Sequence, residues 1–295
     1  MNNNEIKFKI NQNYYSDIDQ INNRLFVGKN TAEIAKVYID IQYMFTNKKK
    51  EKLKNIYELF SVNPENLKVI DDVFYSYIRK SGEEIYRNKE ISKEPIKFIH
   101  QLMNLKKEMD NLVEDCFENN PQFQDTKNKA FKNFMNKDFY AKQLSNYIGF
   151  SMKSGFKGKS DDEIEKNFNK IIGSFKSLNS KLVFQTEENN RMSDRLIKGA
   201  FISINHEKKL ISKLKEALSV NFVCKMLRMM YDFHQNEKDV DEYKALSHRG
   251  IPNGIKFNVQ VISQNGWEIR KNSLEKIYLP IFLQVCIFDF ERFYF

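Results

Sequence analysis

Proline and glycine are scarce, at five and ten of 295 residues, which leaves the chain suited to long amphipathic helices joined by polar turns. The three cysteines, Cys116, Cys224 and Cys286, are odd in number, far apart and set in apolar surroundings. That excludes a disulfide framework, and buried free thiols are expected. His100, His206, His234 and His248 have no cysteine partner at ligand spacing, so no metal site is implied. His206, beside Glu207 at a helix start, reads as a neighbour of the cap. No glycine loop that could cradle a phosphate, no nucleophile elbow and no carboxylate pair in a cleft is present, so neither catalytic residues nor a cofactor are expected. Asp161, Asp162 and Glu163 are acidic, but they occupy a first helical turn, where negative charge suits the helix dipole.

Long apolar runs are missing too. The longest, Ile277 to Phe288, is interrupted by Pro280 and Gln284 and falls short of the ~20 residues a membrane span requires. The opening Met1-Asn2-Asn3-Asn4-Glu5 is polar and does not read as a leader, so a soluble protein of the cytoplasm or nucleus is expected. The net charge of +9 would attract phosphate non-specifically, which raises a basic helical nucleic-acid-binding protein as an alternative. Against it, the lysines are interspersed with acidic residues and no nucleic-acid-binding motif appears.

What the chain does have is helical periodicity. Residues 1–52 are Asn-rich, with an apolar pattern at Ile34, Val37, Tyr38, Ile41 and Phe45 and a lysine run, Lys48-Lys49-Lys50, that reads as a solvated helix end. Leu53, Ile56, Tyr57 and Phe60 form a short stripe. Asn63-Pro64 then reads as a helix start, and Leu67, Ile70, Phe74, Tyr77 and Ile78 continue the helix to a stop expected at Gly82. Ile99, Leu102, Leu105, Met109, Leu112 and Val113 make a third stripe. Ser160 with Glu163 is a capping box ahead of Ile164, Phe168, Ile171, Ile172, Phe175 and Leu178. Leu210, Ile211, Leu214 and Leu218 repeat the spacing, and Met226, Leu227, Met229, Met230 and Phe233 read as core filling rather than a partner groove.

Near the end the period changes. Ile255, Phe257, Val259 and Val261 alternate with Lys256, Asn258 and Gln260, and Asn265-Gly266 beside Trp267 marks a turn. A strand and short β-hairpin are expected there.

Several of these blocks, in order, resemble the cullin homology domain found in scaffold subunits of RING ubiquitin ligases. Tyr147-Ile148 with Gly155-Phe156-Lys157-Gly158-Lys159 is similar to the family's helix and basic linker, and the helix ending Phe175-Lys176-Ser177-Leu178 follows as it does there. Leu210-Ile211-Ser212-Lys213-Leu214-Lys215-Glu216, Asn221-Phe222-Val223 before Asp232, Val261 through Trp267, and Phe290 through Tyr294 continue the likeness. Upstream, Asn55 to Ser61, Tyr77 to Gly82 and Cys116 to Pro121 resemble the last helical cullin repeat.

The resemblance implies a mainly α fold. Residues 1–52 would be a divergent helical segment ending a preceding repeat, 53–137 a cullin repeat, 138–250 a four-helix bundle, and 251–295 the truncated start of a small α/β domain. Stacked helical units of this kind imply a stiff spacer. The resemblance further implies a non-catalytic scaffold of a cullin-RING ubiquitin ligase, acting in ubiquitin-dependent protein catabolism. A RING-box protein would add a strand at Phe257, Val259, Gln260, Val261, Ile262 and Trp267. A substrate adaptor would dock on N-terminal repeats, and a winged-helix region would bear the modified lysine; both are expected to lie outside this chain. Departures include Leu227-Arg228 for the family's Glu-Gly pair and Ile204-Asn205 for two acidic residues, the latter expected to weaken a helix cap. A degenerate, decoy-like interaction protein is the alternative within the same family.

Overall fold

The computed structural model describes residues 31–61, 64–135, 137–176, 180–246, 257–267 and 278–295. They fall into two compact units, one running to Tyr140 and the other from Ala141 onward, apart from residues 177–179, which lie outside the described residues.

The first unit is built from α1 (Thr31–Thr46), α2 (Lys50–Phe60), α3 (Pro64–Arg87), the single turn α4 (Lys89–Lys93), α5 (Pro95–Phe117) and α6 (Pro121–Met135). The lysine run lies at the α1–α2 junction. Lys48 takes a left-handed conformation there, and Lys50 pairs with Asp115 at 2.7 Å in solvent. The stripes face inward as their spacing requires: Leu53, Ile56, Tyr57 and Phe60 on α2 are buried, as are all six residues from Ile99 to Val113 on α5. Helix α3 packs on α1 and α6, and α2 on α5. At the centre Phe117 stacks on Phe123 at 4.3 Å, with Phe45, Tyr57 and Phe74 around them, so the core is largely aromatic.

Gly82 does not end a helix. Helix α3 continues through it to Arg87. A Cβ built at Gly82 would lie 2.5–2.8 Å from the ring of Phe134 on α6, so the residue is glycine because another helix crosses at that point.

The second unit contains most of α7 (Asp138–Phe150), which runs into a π turn at Ser151–Gly155. It continues with α8 (Asp161–Lys176), α9 (Lys181–Lys198), α10 (Ile204–Ala217), α11 (Val220–Leu246) and α12 (Ile281–Tyr294). The capping box forms as read: Ser160 N–H donates to Glu163 Oε2 at 2.9 Å, and Glu163 N–H donates to Ser160 Oγ at 3.3 Å. Ile164, Phe168, Ile171 and Phe175 pack inward with Leu210, Ile211 and Leu214, and with Val223, Met226, Met229 and Met230. Ile172 and Leu218 are half-buried, and Leu178 lies outside the described residues. Leu227 departs from the core reading and sits on the exposed side of α11. Despite Asn205, α10 is capped, because Ser203 Oγ accepts from Asn205 N–H at 3.2 Å. Cys116 and Cys286 are buried, but Cys224 is exposed on α11.

Inside this unit lies an ionic cluster. Arg195 on α9 donates through Nε to Glu207 Oε1 of α10 at 2.6 Å, and through Nη2 to Glu207 Oε2 at 2.9 Å and Glu188 Oε1 at 2.8 Å. Ser145 on α7 donates to the other Glu188 oxygen at 2.7 Å. All three charged side chains are fully buried, so the cluster ties α7, α9 and α10 together through groups that would be costly to strand.

The expected hairpin differs more. No strand occurs among the described residues, and Phe257–Ser263 has no strand partner among them. The turn does form, with Gly266 N–H donating to Ser263 O at 3.2 Å. Ile255 and Lys256, and residues 268–277 beyond the turn, lie outside the described residues.

Candidate functional site

Helix α11 carries Arg228, Asp232 and Asn236 at four-residue spacing, which places them along one face. That face holds residues 261–267. Asn236 meets the backbone of Val261 twice: Val261 N–H donates to Asn236 Oδ1 at 2.6 Å, and Asn236 Nδ2 donates to Val261 O at 2.8 Å. A carboxamide offers one donor and one acceptor side by side, as a peptide group does, so Val261 finds on a helix what a neighbouring strand would offer.

One turn earlier, Asp232 Oδ2 accepts from Ser263 N–H at 2.8 Å, Ser263 Oγ at 2.6 Å and Trp267 Nε1 at 2.7 Å. Burial pushes the Asp232 carboxyl up, but the Ser263 and Trp267 hydrogen bonds, with Arg228 nearby, outweigh it and hold its pKa below the usual value. Arg228 closes the arrangement, with Nε 3.1 Å from Ser263 Oγ and 3.3 Å from Asp232 Oδ1. Its stem covers Gly266, where a Cβ would come within 2.8 Å of Arg228 Cγ, so the turn needs glycine for close approach.

The residues expected to bind a partner therefore occupy one short segment. Trp267 is buried, Phe257, Val259, Val261 and Ile262 are half-buried, and Gln260 is exposed. Beside the segment runs an open groove of about 500 Å³, lined by Phe233, Asn236, Glu237, Val240, Asn258 and Val259 among others. The alternation of apolar residues flagged the segment. It could not flag the helix residues that hold it: Arg228 stands out in the sequence only as part of a departure from the family's Glu-Gly pair, and Asn236 carries no pattern of its own. Nor does any spacing mark the Ser145–Glu188–Arg195–Glu207 cluster, because its members come from three different helices.

At the chain's end α12 is fastened to α11 by Tyr243, whose hydroxyl donates to Asp289 Oδ2 at 2.8 Å and whose ring meets Phe290 at 5.1 Å. The outer side of α12 exposes Ile281, Phe282, Val285 and Phe288. Among the described residues no cluster of three or more His, Cys, Asp or Glu side chains could hold a metal ion, and no helix is long and apolar enough to cross a membrane.

Comparison with known proteins gives a concordant result. The model of the cullin alpha solenoid domain matches residues 4–239, a range that includes Arg228, Asp232 and Asn236 and stops before the segment they hold. The chain is 28% identical over 255 residues to Cullin-3 of Dictyostelium discoideum, covering 85% of this chain and 33% of that protein. It is 28% identical over 225 residues to Cullin-3A of Arabidopsis thaliana (76% and 31%) and 24% identical over 230 residues to Cullin-4A of Mus musculus (77% and 30%). The chain thus spans about a third of the length of the curated relatives it matches.

Proposed function

The chain belongs to the cullin family, and from that premise we propose that it is a non-catalytic scaffold segment of a ubiquitin ligase, which receives a RING-box subunit on Phe257–Ile262 and Trp267. The RING-box subunit would bring a ubiquitin-charged conjugating enzyme near a substrate held by an adaptor, so that transfer gains from proximity rather than from any reactive group on this chain.

The observation that carries this reading is the Phe257–Ser263 backbone, which lies beside α11 with no strand partner among the described residues and is held there at Val261 and Ser263 by side chains. Adding a strand to such a segment supplies affinity through main-chain hydrogen bonds and selectivity through alternate side chains. Proline at Val259 and Val261 removes two backbone donors on the side facing α11, including the Val261 N–H that Asn236 holds, and so breaks the arrangement that keeps the segment in place. The double variant V259P/V261P is expected to lose co-purification with a RING-box subunit. Unaltered capture would rule out this segment as the docking point.

A further inference from the structure

We propose that Asp232 and Asn236 act as a surrogate strand, ordering residues 261–263 in a set register so that Gln260 and Ile262 present their backbone N–H and C=O groups to an incoming extended segment. The inference rests on the functional reading above and specifies which edge is used and what prepares it.

The register follows from backbone geometry. In extended chain the N–H and C=O of one residue point to the same side, and successive residues alternate sides. Val261 gives both of its groups to Asn236, and Ser263 gives its N–H to Asp232, so positions 261 and 263 face α11. Positions 260 and 262 must then face away. Their backbone groups find no partner among the described residues. The ladder also has a defined end: Ser263 O accepts from Gly266 N–H, and Arg228 packs over that glycine, so the chain turns off immediately beyond the paired stretch.

The free groups alternate donor and acceptor along the chain, and their complement is another extended backbone rather than a helix or a small ligand. Asn236 and Asp232 touch only the inner edge, so they are positioning residues: they order the segment before the partner arrives and remove part of the ordering cost from the binding step.

Residue-resolved amide exchange on the full chain, with and without a RING-box subunit, tests this. In the free chain Val261 and Ser263 are expected to exchange slowly, and Gln260 and Ile262 fast. With the subunit bound, Gln260 and Ile262 should slow at least tenfold while Val261 and Ser263 stay protected. N236A should release Val261 and raise the Kd about tenfold. I262P, which removes one outward N–H and leaves the inner bonds intact, should weaken binding by a similar factor without shifting Trp267 fluorescence. Fast exchange at Val261 and Ser263 in the free chain would refute the surrogate strand. Binding with no slowing at Gln260 and Ile262, or with full affinity in both N236A and I262P, would overturn the inference while leaving the scaffold reading intact. Failure of the wild-type chain to bind any RING-box subunit would overturn that reading itself.

Discussion

Replacing Asp232 with asparagine removes a charge at almost constant shape and isolates what the carboxylate contributes. Oδ2 accepts three hydrogen bonds, from Ser263 N–H, Ser263 Oγ and Trp267 Nε1. A bond to a charged group contributes roughly 1.5–3 kcal/mol net and a neutral one roughly 0.5–1.5, so each of the three loses about 1 kcal/mol. If the amide oxygen takes the Oδ2 position, the amide nitrogen faces the Arg228 guanidinium, donor against donor. Arg228 is more than half exposed, so water moderates that contact, and it is left out of the sum. The total, about 3 kcal/mol, corresponds to an opening constant for residues 261–267 raised about 100-fold. Trp267 is the single tryptophan of the chain, so its emission reports release of the segment, and Ser263 amide exchange measures the opening constant. Because the Asp232 pKa is depressed, its stabilising contribution is complete above the ordinary aspartate value and lost as pH falls through the lower folded value. Wild-type emission should therefore hold until pH falls below about 3.9, the ordinary aspartate pKa, and D232N should lack that acid transition. Ser263 exchange within threefold of wild type in D232N would refute the assignment of the carboxylate as the anchor.

R195A leaves Glu188 and Glu207 buried without their counter-ion, and urea denaturation should show a loss of about 3–5 kcal/mol. Burial pushes the Glu188 pKa up, and Arg195 and Ser145 offset that only in part, so the stability it contributes is complete below the ordinary glutamate pKa and lost as pH rises through the raised value. E188Q should flatten that limb of the stability profile. G82A would gain up to about 1 kcal/mol of helix propensity, but it drives a methyl into the buried Phe134 ring at a cost of about 1–3 kcal/mol, so a lower Tm is expected.

Much of the fold was legible because helical faces are a local property. On α5 every residue of the stripe from Ile99 to Val113 is buried, since a period near 3.6 leaves those side chains only one side to share. The Ser160–Glu163 box closes within one turn and needs no distant partner. Gly82 was misread because its meaning comes from Phe134, fifty-two positions away along the chain. The pairing of Glu188 and Arg195 was not legible, since charge spacing along one helix carries no information about a Glu207 supplied by the next.

The segment at 257–263 shows the division most clearly. Alternating apolar residues predicted a strand at this point, since alternation is a property of the chain alone, but no strand forms there among the described residues. Pairing is a property of whatever lies alongside, and here the neighbour is a helix whose Asn236 and Asp232 offer side-chain donors and acceptors where a strand would offer peptides. No periodicity encodes that substitution, because it depends on the distance between two elements rather than on the spacing within either.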